Sequence, residues 1–111
     1  MDRANAFAAQ FYVLVQGQEF EEAAKLFGPD LPHDEGIKLL NAVKDLRGGI
    51  VDAVTENIGT VVITQNGIVS EVGCNLELNC VYEKGHTMEN LVLQGANFEA
   101  LKVVGYQFTL K

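Results

Sequence analysis

The chain has no tryptophan, and among its 111 residues only two prolines, two cysteines and two histidines. Each scarcity excludes something. Two cysteines cannot supply the disulfide framework of a small secreted scaffold, and neither a Cys-x-x-Cys nor a His-x-x-x-His pattern occurs, so no zinc module is spelled out. Cys74 and Cys80 lie in one alternating segment, about 20 Å apart if it is extended. A disulfide needs Cα atoms within about 7 Å, so two buried free thiols are expected, which favours a reducing compartment. No apolar run reaches the ~18 residues of a membrane-spanning helix. The beginning, Met1-Asp2-Arg3-Ala4-Asn5, lacks the charged and then apolar regions of a signal peptide. The chain therefore reads as cytoplasmic if Met1 is its native start, and as exported if a leader has been removed.

Basic residues are also few. Eight stand against 15 acidic ones, for a formal net charge of -7, and they are scattered from Arg3 to Lys111. A nucleic-acid binder needs clustered cations to neutralise phosphates, and an anionic membrane surface asks for the same. Both partners are disfavoured. What the chain does have is an apolar fraction of 48%, enough for one domain over 1–111 that folds without metal or disulfide.

The hydrophobic period changes once, at Gly48-Gly49. Before that pair apolar residues recur at helical spacing. Phe7, Phe11, Leu14 and Val15 make a stripe on a helix from about Asp2 to Gln16, with Gly17 as its cap. Phe20, Ala23, Ala24 and Phe27 form the buried face of a second helix, about Glu19 to Phe27, stopped by Gly28-Pro29. Ile37, Leu40, Val43 and Leu46 mark a third, which begins after Pro32-His33. After Gly48-Gly49 the apolar residues alternate, as in half-buried strands.

The first strand is expected from about Ile50 to Thr64, with a bulge or break at Asn57-Ile58-Gly59. Asn66-Gly67 then suits a tight hairpin turn. The second strand, about Ile68 to Glu83, turns Cys74, Leu76, Leu78, Cys80 and Tyr82 to one side. Gly85 and Gly95-Ala96-Asn97 bound a third, about Thr87 to Gln94. The last runs from about Ala100 to Lys111, with Val104, Tyr106, Phe108 and Leu110 inward. These elements predict an α+β fold of three N-terminal helices packed on a curved, four-stranded antiparallel sheet.

Three passages resemble a known superfamily. Gln16-Gly17-Gln18-Glu19-Phe20 leading into an Ala-rich second helix, the hairpin Val81-Tyr82-Glu83-Lys84-Gly85, and the closing strand from Leu101 to Phe108 are similar to those of the cystatin-like, nuclear-transport-factor-two-like proteins. The likeness is nearest to small bacterial domains of unknown function, many exported or lipid-anchored. It implies a cone, in which the sheet wraps the first helix and leaves a cavity at the wide end. Enzymes of this superfamily use an inward carboxylate or histidine there, while other members bind ligands or pair sheet to sheet.

The residues themselves favour the second kind. His33 and His86 lie near a helix start and a strand turn, with no carboxylate placed to orient either. The inward set of the second strand reads Cys, Leu, Leu, Cys, Tyr, and nothing beside the thiols would lower their pKa. No catalytic residue, metal ligand or cofactor is assigned. Tyr12, Cys80, Tyr82 and Tyr106 are the candidates for lining a small apolar ligand pocket. Val81, Leu101, Val103 and Gln107 are the candidates for a homodimer face, because the outward side of the sheet is low in charge. The expectation is a non-catalytic module that binds a small ligand or assembles with itself. A small lyase, isomerase or hydrolase using the cavity, and an adaptor for another protein, are the alternatives.

Overall fold

The computed structural model describes residues 2–28 and 31–110. Three helices come first: α1 (Asp2–Gln16), α2 (Phe20–Ala24) and α3 (His33–Arg47). Four strands follow: β1 (Ile50–Gln65), β2 (Ile68–Tyr82), β3 (Gly85–Gly95) and β4 (Lys102–Leu110). The strands form one antiparallel sheet in the order β1-β2-β3-β4, so the fold is α+β with an open four-stranded meander. None of the described helices is long and apolar enough to cross a membrane.

The change of period at Gly48-Gly49 is where α3 hands over to β1. Gly48 takes φ +79° and returns its N–H to the Lys44 carbonyl at 2.7 Å. Such a left-handed residue closes a helix with no Cβ to strain. The first helix ends at Gln16 with Gly17 next, as expected, its N–H on the Val13 carbonyl at 3.1 Å. Gln18, and not Gly17, carries the positive φ.

The second helix is shorter than its apolar stripe implied. Lys25 and Leu26 lie in a turn. Phe27 forms an isolated bridge with Val103, while the Val103 N–H reaches the Leu26 carbonyl at 2.8 Å and the Gly28 N–H reaches the Val103 carbonyl at 2.7 Å. The backbone groups that would have continued the helix bond the edge of β4 at Val103 instead. Ala23, Ala24 and Phe27 are buried as expected; Pro29, the expected stop, lies outside the described residues.

Phe27 packs against α3 at Gly36. A Cβ at Gly36 would stand 1.7 Å from the Phe27 ring. Gly36→Ala should therefore destabilise the protein by roughly 1–3 kcal/mol through overpacking, although alanine favours a helix interior by about 1 kcal/mol. Urea unfolding checks the sign, and Gly36→Ala combined with Phe27→Leu should recover much of the loss.

The core lies between the helices and the inner face of the sheet, with Phe11, Leu40, Val43, Leu76, Leu91 and Val103 almost fully buried. On β2 the buried residues are Val72, Cys74, Leu76, Leu78, Cys80 and Tyr82, the alternation expected for a sheet covered on one side. Both cysteines are free and buried.

On β4 the expected phase fails. Gly105 pairs with Val92, but Val103 pairs with Leu93, so Val104 is an extra residue. This bulge reverses which residues face the helices before and after it. Leu101 and Val103, read as outward, are buried; Val104, read as inward, is only half-buried. Tyr106, beyond the bulge, keeps the expected inward direction, and the Leu110 side chain and Lys111 lie outside the described residues. A second bulge, expected around Asn57-Ile58-Gly59, falls at Glu56, since Thr55 pairs with Leu78 and Asn57 with Glu77.

The molecule measures 49 × 27 × 19 Å. Its length is set by β1, whose 16 residues extend about 50 Å at the usual rise per residue. The helices cover only part of that length. The far end of β1 and β2, closed by Asn66 and Gly67 at φ +54° and +78°, projects as a two-stranded arm exposed on both faces. Two adjacent positive φ values are what the two-residue turn needs, and Asn-Gly supplies them at little strain.

Candidate functional site

Glu89 is the polar centre of the core. It sits on β3 opposite Leu78 of β2 and Phe108 of β4, and its relative exposure is 0%. The buried residues of β3 are Thr87, Glu89, Leu91 and Leu93, so the carboxylate occupies an inward position of a regular strand.

Four hydroxyls converge on it. Tyr12, from α1, donates to Oε1 at 2.7 Å, and Tyr106, from β4, donates to the same oxygen at 2.8 Å. Thr87, two residues earlier on the same face of β3, donates to Oε2 at 2.7 Å. Tyr82, from the end of β2, also donates to Oε2. A carboxylate has about four acceptor positions, and each oxygen here accepts two hydrogen bonds. The donors are neutral, so the charge is held by oriented dipoles rather than by a cation, and charge-assisted bonds of this kind are the strong ones.

Burial, and next the Glu89 charge, push the phenols of Tyr12, Tyr82 and Tyr106 well above the ordinary tyrosine range. The same two causes raise the Cys80 thiol. A nucleophilic cysteine needs the opposite shift. Cys74 is also raised, chiefly by burial. Phe11 closes the cluster from the side, edge-on to Tyr12 with ring centres 5.1 Å apart and to Tyr106 at 6.1 Å.

Tyr12, Cys80, Tyr82 and Tyr106, the four residues read as pocket candidates, thus come together around one carboxylate. Tyr12 also borders two open clefts beside β1, of about 200 and 320 Å³, whereas the hollow that Tyr82 and Tyr106 share is not ligand-sized. The hollow bordered by Tyr82 and Tyr106, under Leu40 and Val43, holds about 10 Å³, barely the room of one water. Sequence reasoning missed Glu89 and Thr87. Their signal was present: both are in phase with Leu91 and Leu93, so an inward β3 face carries them along. Among the described residues, no group of three or more His, Cys, Asp or Glu side chains is placed to hold a metal ion.

A second feature lies at the far end of the sheet. Residues 57–70, which span most of the arm and the stretch of β1 leading into it, contain none of the chain's 8 basic and 15 acidic residues. Val61, Val62, Ile63, Ile68 and Val69 are exposed there, Ile68 at 72%. Beside the arm, Gly59 and Gly73 leave an apolar hollow of about 360 Å³, rimmed by Val61, Val92 and Val104. A Cβ at Gly59 would meet nothing within 4 Å. Of the residues read as a dimer face, Val81 is half-buried and Gln107 exposed, while Leu101 and Val103 belong to the core.

Comparison of the chain with protein-family models, with curated proteins and with solved structures finds no match.

Proposed function

We propose that the protein is a non-catalytic module that associates with itself through the uncharged end of its sheet. The observation that carries this reading is the exposed aliphatic arm. Edge strands and sheet faces that remain in water are normally guarded by charge, most often lysine. Here 57–70 is uncharged in a protein of net charge -7, so two copies can meet there without direct repulsion.

Fully burying a valine or isoleucine is worth roughly 1.5–3 kcal/mol. Val61, Val62, Ile63, Ile68 and Val69 each keep about half or more of their surface exposed. Covering them would add on the order of 1 kcal/mol apiece, so about 10 kcal/mol over two protomers is the upper limit, reached only if every one of them is covered. Association itself costs about 4–15 kcal/mol. The terms are of one size, so the expected dimer dissociates on dilution. Sedimentation should show a shift from dimer to monomer on dilution from the millimolar range to tens of micromolar; monomer alone at the highest attainable concentration would remove the reading.

The cone of the cystatin-like, nuclear-transport-factor-two-like proteins is part of the same proposal. In its support stand three helices followed by a four-stranded meander, and a long first helix laid on the sheet. The enzyme reading has one observation in its favour, the inward carboxylate of Glu89. Four donors already occupy it, so a substrate would have to displace a hydroxyl and open the interior. A small apolar ligand placed among the three tyrosines faces the same barrier.

A further inference from the structure

We propose that the partner on the arm is a second copy of this chain, added edge to edge so that two β1 strands run antiparallel about a two-fold axis at Val61. This rests on the self-association reading and specifies its geometry.

The two edges of the sheet are not alike. The edge of β4 is covered near Val103 by the backbone of 26–28. β1 is the other edge, and among the described residues no backbone hydrogen bond joins its outer side to a further element. Its unpaired N–H and C=O groups are a template for another strand.

Two independent features select the same register. The uncharged part of β1 runs from Asn57, just after Glu56, to the strand end at Gln65, and its midpoint is Val61. Centring the axis there lays uncharged chain against uncharged chain. Glu56 then falls beside Asn66 of the second copy, so no acid faces an acid. The second feature is shape. In this register Gly59 of each copy lies opposite Ile63 of the other. Gly59 has open space where a side chain would be, and Ile63 is a large side chain that is 45% exposed. Within one copy, Gly59 pairs with Asn75 and Ile63 with Glu71, on the outward face. Each isoleucine would therefore lean over the hollow that Gly59 and Gly73 leave, a contact that occurs twice by symmetry. Such an isologous contact closes on itself, as two-fold interfaces do, and it joins the two sheets into one.

A cysteine at the axis tests the arrangement. Directly opposed residues in an antiparallel pair have Cα atoms about 4.5–5.5 Å apart, within disulfide range. Under mild oxidation of the folded full chain, Val61→Cys should form a linked dimer at least tenfold faster than Ile68→Cys. Ile68 is more exposed but lies on β2, off the axis. The native thiols are buried and should stay reduced. Ile63→Lys, an exposed change that should leave the circular dichroism spectrum intact, should raise the dimer Kd at least a hundredfold. Equal cross-linking at the two positions, or an unchanged Kd for Ile63→Lys, would overturn this pairing. If the unmodified chain still sediments as a dimer in that case, association through the sheet face survives and only the edge geometry fails. If it is monomeric throughout, both fail.

Discussion

Glu89→Leu should abolish the folded state or bring the protein to its threshold. The substitution removes the acceptor for Tyr12, Tyr82, Tyr106 and Thr87 at once. Leaving a buried donor unpaired costs about 1–3 kcal/mol, so four of them amount to roughly 4 kcal/mol or more, even after leucine adds apolar burial. A domain of this size is stable by about 5–15 kcal/mol. The measurement is the urea midpoint, with near-ultraviolet circular dichroism to detect loss of fixed packing. The decisive companion is the variant in which Tyr12, Tyr82 and Tyr106 become Phe and Thr87 becomes Val together with Glu89→Leu. Replacing a buried polar network as a whole can be nearly neutral, whereas removing one member strands the others. Recovery in that variant would assign the loss to orphaned hydroxyls. An unchanged midpoint for Glu89→Leu alone would mean that the network contributes nothing. Glu89→Gln should fall between, since it keeps one acceptor oxygen but turns an amide donor toward Tyr82 and Thr87.

The second large effect is a collapse of stability in alkali. The phenols of Tyr12, Tyr82 and Tyr106 and the thiol of Cys80 hold their protons more tightly in the folded protein than in the unfolded chain, because burial and then the Glu89 charge oppose a second anion. Their contribution is fully present below the unfolded pKa values, ~8.5 for the thiol and ~10 for the phenols. It is lost as pH rises above them, since the unfolded chain releases protons the native state retains. Each group then removes about 1.4 kcal/mol per pH unit. The decline begins with Cys80 near pH 9 and steepens past pH 10, where four groups together approach about 5 kcal/mol per unit. Cooperative unfolding is expected between about pH 11 and 12. The chain has three tyrosines and no tryptophan, and all three tyrosines are in the cluster. Tyrosinate absorption therefore reports this site alone, and it should appear together with the loss of circular dichroism. A gradual titration centred near pH 10, with the fold intact, would contradict the closed cluster.

Much of the architecture was legible because it rests on local chemistry. The stripes of α1 and α3, the alternation from Cys74 to Tyr82, and the Asn66-Gly67 turn follow from side-chain period and backbone preference within a few residues. Val103 shows where such reasoning stops. A strict period of two carries a strand's phase only as far as its first bulge, and around Val104 the local hints of an extra residue are Gly105 and the unbroken apolar pair Val103-Val104. A one-residue slip turns the side chains on one side of it to the opposite face, so Leu101 and Val103, which precede the bulge, moved from the expected dimer face into the core. Glu89 was legible in principle, in phase with Leu91 and Leu93. A carboxylate is rarely placed in a core by pattern alone, because an unpaired buried charge is prohibitive. Its donors come from positions as distant as Tyr12 and Tyr106, and no local window contains them.

By itself, then, the sequence determined that helices precede strands, that the change of period falls at Gly48-Gly49, and that both thiols are buried, since each depends on the pattern of neighbouring residues. Only the tertiary structure decided that Tyr12, Tyr82 and Tyr106 share one buried carboxylate, and that β1 is the open edge while β4 is covered near Val103. Those outcomes depend on which distant segments meet. A charge can be buried when four hydroxyls reach it together, and an edge is free only when no other part of the chain returns to it.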